Sequence, residues 1–469
     1  MTKKMRNMAR LFNPGSVAVI GASKDPGKLG FHVMKSLTRG GFGGKIIPVN
    51  PGSMEIMGLK TFASVHEYPG KIDLAIVALP ARMVPRVFLE CEKKGIKGIV
   101  LITAGFKEID DPAGAELHKE IQDIAERAGI PVIGPNTFGM ISFHAGLNAS
   151  FTPEFSLLRA GGIALVSQSG GMSHLLGFMA MNEDVGFSKI VGLGNRLNVD
   201  FPEMFDYLMD DPDSKVIALY VEGIDGARDL MTAAKRHGVR KPMIAYKTGS
   251  ADVGDVASKS HTGSLAGKHE IYGGAFKQAG ILPVDNAETL LDGAKALAAC
   301  PFLQGPGVAI LSGQAGPGMA ACDFTENLGL DIVSFTEKTQ KKINDALPPL
   351  ALRTNPVDMG PAWYDSEAIR KIVHAVMEDD NVHSILLLMM FASANVDAVK
   401  GLTPALKTWK QRKPVIGCLV APPGIWDEQI KDLETSGALV NYPTPERAAA
   451  ALAALWHYRV IRDRAKGDT

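Results

Sequence analysis

Ile163-Ala164-Leu165-Val166-Ser167-Gln168-Ser169-Gly170-Gly171-Met172 reads as a buried strand, a glycine-containing turn and the start of a helix. Val308-Ala309-Ile310-Leu311-Ser312-Gly313-Gln314-Ala315-Gly316-Pro317-Gly318-Met319 repeats it. The likeness continues in order. Asn198-Val199-Asp200 parallels Pro356-Val357-Asp358, and Asp210-Asp211 before Val216–Tyr220 parallels Asp379-Asp380 before Ile385–Leu388. Lys241-Pro242-Met243-Ile244 parallels Lys413-Pro414-Val415-Ile416. Short apolar runs alternating with helical patterns specify parallel sheets covered by helices. Residues 161–299 and 307–462 therefore read as two small flavodoxin-like domains related by an internal repeat, with 301–306 as the linker.

A third α/β block precedes them. Ser16–Ile20, Lys45–Val49, Leu74–Ala78, Ile99–Ile102 and Pro131–Ile133 are strand-like, with helical patterns at 84–94 and 115–128. Most of these runs end in turn-rich clusters, and in a doubly wound sheet ligands lie at the carboxyl ends of the strands. The clusters are Gly21-Ala22-Ser23-Lys24, Asn50-Pro51, Val77-Ala78-Leu79-Pro80, Thr103-Ala104-Gly105 and the turn holding Asn136. The first turn lacks tight G-x-G-x-x-G spacing, and Asn50-Pro51 stands where an NAD site carries an acid. Lys24 and Lys28 suit a more phosphorylated nucleotide such as coenzyme A. On these residues a Rossmann-like sheet binding another ligand, or none, stays open. The expected organisation is 1–150, 151–302 and 303–469: a Rossmann-like domain followed by two flavodoxin-like domains.

Composition narrows the function classes. The 469 residues carry 50 basic and 50 acidic side chains, a formal net charge of zero. That gives no large nucleic-acid or membrane-surface footprint. The longest apolar run, Ile385–Phe391, is too short to span a bilayer. The basic N-terminus is not followed by the apolar stretch of a secretory signal. Four scattered cysteines fit a reducing cytoplasm and offer no zinc spacing, so no metal site is expected.

The chemistry lies in what the two copies share and where they differ. Both begin with a helix start whose backbone can approach an anion: Ser169-Gly170-Gly171 in one, Gly316-Pro317-Gly318 in the other. Packed pseudo-symmetrically, the two could converge on one phosphate. The first copy has Tyr220-Val221-Glu222-Gly223 where the second has Met389-Met390-Phe391-Ala392, so Glu222 faces a phenylalanine in its twin. The first copy also has Ser258-Lys259-Ser260-His261-Thr262-Gly263-Ser264, a histidine on a small-residue loop that the second copy lacks. An imidazole attacks phosphorus well when a carboxylate on its other nitrogen fixes the tautomer and steadies the developing charge. His261 and Glu222 are the candidate catalytic pair.

At these residues the chain resembles the α subunits of NDP-forming acyl-CoA synthetases, the group of ADP-forming acetyl-CoA synthetase and, more distantly, succinyl-CoA synthetase. SVAVIGAS, GPNTFG, VSQSGG, YVEG and SKSHTGS stand in the family's order across nearly the whole chain. The resemblance implies that His261 is transiently phosphorylated with support from Glu222. It implies coenzyme A along the strand-end clusters and the phosphohistidine at the two helix starts. Many relatives carry cysteine where this chain has Thr137, which removes a thiol role there. The family's ATP-grasp domain has no counterpart here. The implied assembly is therefore an α2β2 heterotetramer whose β subunit binds ATP or ADP with Mg2+, acting on a small carboxylic acid, phosphate and coenzyme A in the cytoplasm. The competing readings are a non-catalytic CoA- or nucleotide-binding regulator of the same fold, which would need neither His261 nor Glu222, and an NAD-linked oxidoreductase. His174 and His269 read as scaffold, Met389-Met390 as core, and Lys338, Lys341 and Lys342 as a solvated helix face.

Overall fold

The structure, a computed structural model, describes residues 2–224, 226–251, 269–349, 352–409 and 413–467. It divides into two compact units, Met1–Ala287 and Glu288–Thr469. His261 lies outside the described residues.

The first unit opens with a five-stranded parallel sheet made of β1 (Ser16–Ile20), β2 (Lys45–Val49), β5 (Leu74–Val77), β6 (Gly98–Leu101) and β7 (Val132–Ile133). Its order is β2-β1-β5-β6-β7, with the small antiparallel hairpin β3 (Glu55–Ile56) and β4 (Leu59–Lys60) beside it. Side chains alternate between the two faces of a strand. Ala18 and Ile20 join one core with Val84, Phe88 and Ile121, while Val17 and Val19 join another with Leu11, Val33 and Leu37. Every residue of β1 is buried, as a sheet covered by helices on both faces requires. The helix Pro112–Ala128 shows how local sequence sets its ends. Asp111 accepts a hydrogen bond from Ala113 N at 2.9 Å, Pro112 takes the first helical position, and Gly129 stops the helix at φ +64°.

The second sheet of this unit has the order β14-β13-β12-β10-β11-β8-β9. Its strands are β8 (Gly139–Ser142), β9 (Leu147–Ser150), β10 (Ala160–Ser167), β11 (Phe187–Gly192), β12 (Val216–Val221), β13 (Met243–Lys247) and β14 (Ile281–Val284). Five are parallel, and the hairpin β8–β9 is added antiparallel through Lys189↔Ser142 and Ile190↔Ile141. The domain boundary expected at 150 thus falls behind two strands that already belong to the second sheet. Their partner is β11, too distant in sequence for a local pattern to reveal. Val166, Val191 and Leu219 of this sheet share one apolar core with Val17 and Val19 of the first.

The second unit holds β15 (Gly307–Ser312), β16 (Asp331–Ile332), β17 (Val357–Asp358), β18 (Ser384–Met390), β19 (Val415–Val420) and β20 (Val440–Asn441), all parallel. The order β20-β19-β18-β15-β16 matches β14-β13-β12-β10-β11, so the sequence repeat is a structural one. The copies differ at the shared Val-Asp. Val357-Asp358 form β17 beside β15, whereas Asn198 caps the edge of β7 by accepting from Val132 N and donating to Ile130 O, both at 2.9 Å. The helix Ala287–Ala299 lies in the second unit from Glu288 onward, where Arg447 grips Asp292 at 2.6 and 2.7 Å and Tyr442 donates to Asp292 O at 2.8 Å. Among the described residues no helix is long and apolar enough to cross a membrane.

Candidate functional site

The carboxyl ends of the first sheet carry every residue singled out there for coenzyme A, and hydrogen bonds tie each turn to its neighbour. Gly21 turns at φ +94°, where an added Cβ would lie 2.4 Å from Ala78 O. Asn50, after β2, donates to Ala22 O at 2.7 Å and accepts from Gly52 N at 2.8 Å, so it braces the first turn. The Ser23 hydroxyl is buried and accepts from Asp25 N. Ala78 N donates to Ile20 O, Thr103 Oγ1 donates to Leu79 O at 2.7 Å, and Asn136 N donates to Thr103 O at 2.8 Å. Val77 is core, while Pro80, Pro51, Lys24 and Lys28 stand in solvent along the same edge. The helix start at Leu29 comes so close behind that a Cβ on Gly30 would sit 1.9 Å from Gly21 O. Only glycines let a turn and a helix meet this tightly.

A cleft of about 440 Å³ opens where these ends meet those of the second sheet. Ala104 and Asn136 line it from the first sheet; Ser169, Gly170, Gly171 and Glu222 line it from the second. Phe138 and Phe151 supply apolar wall. Ser169 caps the helix Gly170–Asn182 by accepting from Met172 N at 3.3 Å. Gly171 is exposed, and a side chain at Gly170 or Gly171 would meet no atom closer than 3.8 Å, so the backbone there is open to an anion. Glu222 follows β12 and is buried at 9 % exposure. Burial, and then the nearby negative charge of Glu222, push the Tyr220 hydroxyl up to about 12.

Four residues of this region escape the sequence reading. Gln168 reaches across from the first turn of the repeat to the backbone of Glu222 and Gly223. Arg196 adopts φ +55°, lines the cleft with a side chain 3 % exposed, and pairs with Asp200 at 3.0 Å. Burial pushes the Asp200 carboxyl up, and Arg196 offsets only part of that. Asn195 donates to Glu108, whose carboxylate also accepts from Gly105 N and Phe106 N. Burial opposes charge on Glu108, yet those backbone N–H groups and Asn195 together hold its carboxyl below the usual range.

Other expectations resolve at this level. His174 is scaffold, its ring nitrogens engaged by Gly170 O at 2.7 Å and the Thr152 hydroxyl at 2.8 Å among Phe138, Phe155 and Phe178. Thr137 donates to Gly192 O at 2.6 Å and accepts from Gly139 N, a structural role. The strand pairings Ser167↔Tyr220 and Ser312↔Leu388 set Glu222 opposite Met390, not Phe391, a correction of one residue. At the second helix start, of Ala315–Asn327, Gly316 is open, whereas Gly318 is buried with its Cβ position 3.1 Å from Ser312 Cβ. Gly318 thus packs helix on strand and does not expose backbone. The side chain at Pro317 lies near the helix start, where its missing N–H costs no intrahelical bond.

Comparison with known proteins accounts for this arrangement. Residues 15–142 match the family described as CoA binding domain, and residues 160–297 match the succinyl-CoA ligase like flavodoxin domain. The chain is 39 % identical to the α subunit of ADP-forming acetate–CoA ligase II of Pyrococcus furiosus, over 95 % of this chain and 96 % of that one. It is 36 % identical to ADP-forming acetate–CoA ligase I of Archaeoglobus fulgidus over 98 % of its own length, but spans 65 % of that longer relative. The Ca. Korarchaeum cryptofilum dinucleotide-forming acetyl-coenzyme A synthetase 1, solved with phosphate and ADP, superimposes with a TM-score of 0.90 at 35 % identity, covering 98 % of each chain. Fold and site thus define an acid–thiol ligase built on a CoA-binding sheet. The chain belongs to the family of α subunits of ADP-forming acyl-CoA ligases.

Proposed function

We propose that the chain catalyses, with a separate ATP-grasp β subunit, the interconversion of acyl-CoA, ADP and phosphate with a carboxylic acid, CoA and ATP. The observation that carries this reading is the shared cleft. It sets the CoA-side residues Ala104 and Asn136 against the helix start Ser169–Gly171 and the buried Glu222. Coenzyme A lies along the turns from Gly21 to Asn136, with Lys24 and Lys28 beside its phosphates. Phosphate attacks the acyl carbonyl and the thiolate of CoA leaves, giving an acyl phosphate. An imidazole nitrogen of His261 then takes the phosphoryl group and the carboxylate leaves. Glu222 steadies the charge that grows on the ring, and the open N–H groups at Gly170 and Gly171 hold the phosphoryl oxygens without a buried lysine. Gly316 in the second unit offers a helix start of the same kind.

His261 passes the phosphoryl group to ADP on the β subunit, which supplies Mg2+. The assembly is α2β2. The Pyrococcus relative is named as an α subunit, which supports a separate partner chain. The reaction belongs in the cytoplasm, where Cys91 and Cys418 stay reduced; both are buried, and burial raises the pKa of each thiol.

Reconstitution tests the reading. The chain and an ATP-grasp partner, given acetyl-CoA, ADP and phosphate, should form ATP, and neither chain should do so alone. A partner that makes ATP at the same rate without this chain would overturn it.

A further inference from the structure

We propose that Gln168 is a positioning residue for Glu222, fixing that carboxylate relative to the anion-binding helix start. The proposal rests on the reading of Glu222 as the support of a phosphohistidine. Gln168 sits between the end of β10 and the helix cap Ser169, and is 6 % exposed. Its backbone N–H continues the ladder to Tyr220 O at 3.2 Å. Its side chain then goes where the ladder cannot. Oε1 accepts from Glu222 N at 2.5 Å and Gly223 N at 3.0 Å, while Nε2 donates to Gly223 O at 2.6 Å. β12 has ended at Val221, so one carboxamide fastens the two residues beyond it. The cap of the helix start and the backbone of the acid thereby become one rigid piece.

The repeat ties the corresponding strand end by a related but displaced contact. In the second copy Gly313 stands at the register of Gln168, and the next residue, the helix cap Gln314, holds the strand end instead, with Nε2 to Met390 O at 2.6 Å and Met390 N to Oε1 at 3.2 Å. By strand register Met390 is the twin of Glu222. Both copies thus tie this strand end to the helix start through a glutamine, but from adjacent positions, and only the first holds an acid at the cleft. A carboxylate that must meet an incoming imidazole gains from a fixed backbone, because misplacement by about 1 Å costs on the order of a hundredfold in rate.

A double-mutant cycle on the reconstituted complex tests this, reading the rate at which γ-32P-labelled ATP phosphorylates His261. Gln168→Leu should slow labelling about 10- to 100-fold with the KM for CoA changed by no more than about twofold. Glu222→Gln should slow it comparably. The double variant should label within about twofold of Glu222→Gln alone, since a residue acting through Glu222 has nothing left to position. Losses that multiply in the double variant, or wild-type labelling in Gln168→Leu, would overturn the proposal. If Gln168→Leu loses its folded circular-dichroism spectrum, Gln168→Asn, one methylene too short to span the gap, takes its place in the same cycle. A wild-type complex that never labels His261 would instead remove the reading beneath the proposal, and the proposal with it.

Discussion

The side-chain amide of Asn195 donates to the carboxylate of Glu108, joining the loop after β11 to the turn after β6. The same carboxylate accepts from Gly105 N at 2.5 Å and Phe106 N at 3.2 Å. Hydrogen bonds to a charged group contribute about 1.5–3 kcal/mol each, so this acid sets the shape of the Thr103–Gly105 turn. Glu108→Ala should weaken coenzyme A binding about tenfold, measured by titration calorimetry. Asn195→Ala, which leaves the two backbone donors in place, should cost less. Unchanged affinity in Glu108→Ala would remove the turn from the binding surface.

His118 makes the unit acid-sensitive. Burial, and then the positive charge of Lys107, push its imidazole down to about 4, with Glu108 pulling weakly the other way. Its Nδ1 is buried without a hydrogen-bond partner among the described residues. The folded pKa lies below the unfolded value of about 6.5, so the unfolded chain binds the proton more readily between those values. Stability is present above about pH 6.5 and falls as pH drops toward 4, by at most about 3 kcal/mol. Denaturant unfolding at pH 7 and pH 4.5 should show this loss, and His118→Leu should remove about 2 kcal/mol of it. An equal loss in the variant would clear His118.

Gly30→Ala should be poorly tolerated for a purely steric reason. The new Cβ would lie 1.9 Å from Gly21 O, a contact that only backbone movement can relieve. Overpacking of this kind costs about 1–3 kcal/mol or more. A lowered thermal midpoint with weaker CoA binding is expected, because the moving atom belongs to the first turn. A variant as stable as wild type would show that the turn and helix are less closely apposed.

Lys189 and Asp211 form a buried ion pair at 2.7 Å, with side chains 2 % and 6 % exposed, and Ser214 donates to the same carboxylate. Removing one partner strands a buried charge. Lys189→Ala should therefore destabilise the chain by about 3–5 kcal/mol, read from chemical denaturation. A loss under about 1 kcal/mol would mean that the pair is solvated.

Much of the fold was legible because its strands are short apolar runs closed by turn residues. Ser16–Ile20 with Gly21, and Ile163–Ser167 with the following glycines, carry that signal within ten residues. Two elements beside the expected boundaries owe their places to distant partners. Gly139–Ser150 and Ala287–Ala299 take their places through β11 and Arg447, partners that no local pattern exposes. The site divides in the same way. Glu222 is legible because the second copy lacks an acid there, and strand register makes its twin Met390. Gln168 stands in the same motif, but nothing local marks it beside the glycines that open the backbone. Its task depends on a strand end 54 residues away. Arg196 gives no signal at all, since its direction follows from a left-handed backbone at φ +55°.

The central claim is a travelling phosphohistidine at His261, and trapping it is the direct test. The complex should be incubated with γ-32P-labelled ATP, quenched, and digested for peptide mapping. The peptide carrying His261 should hold an acid-labile, base-stable phosphate, lost in His261→Ala and discharged by adding acetate and CoA. Label that survives His261→Ala, or that stays when acid and CoA are added, would contradict it.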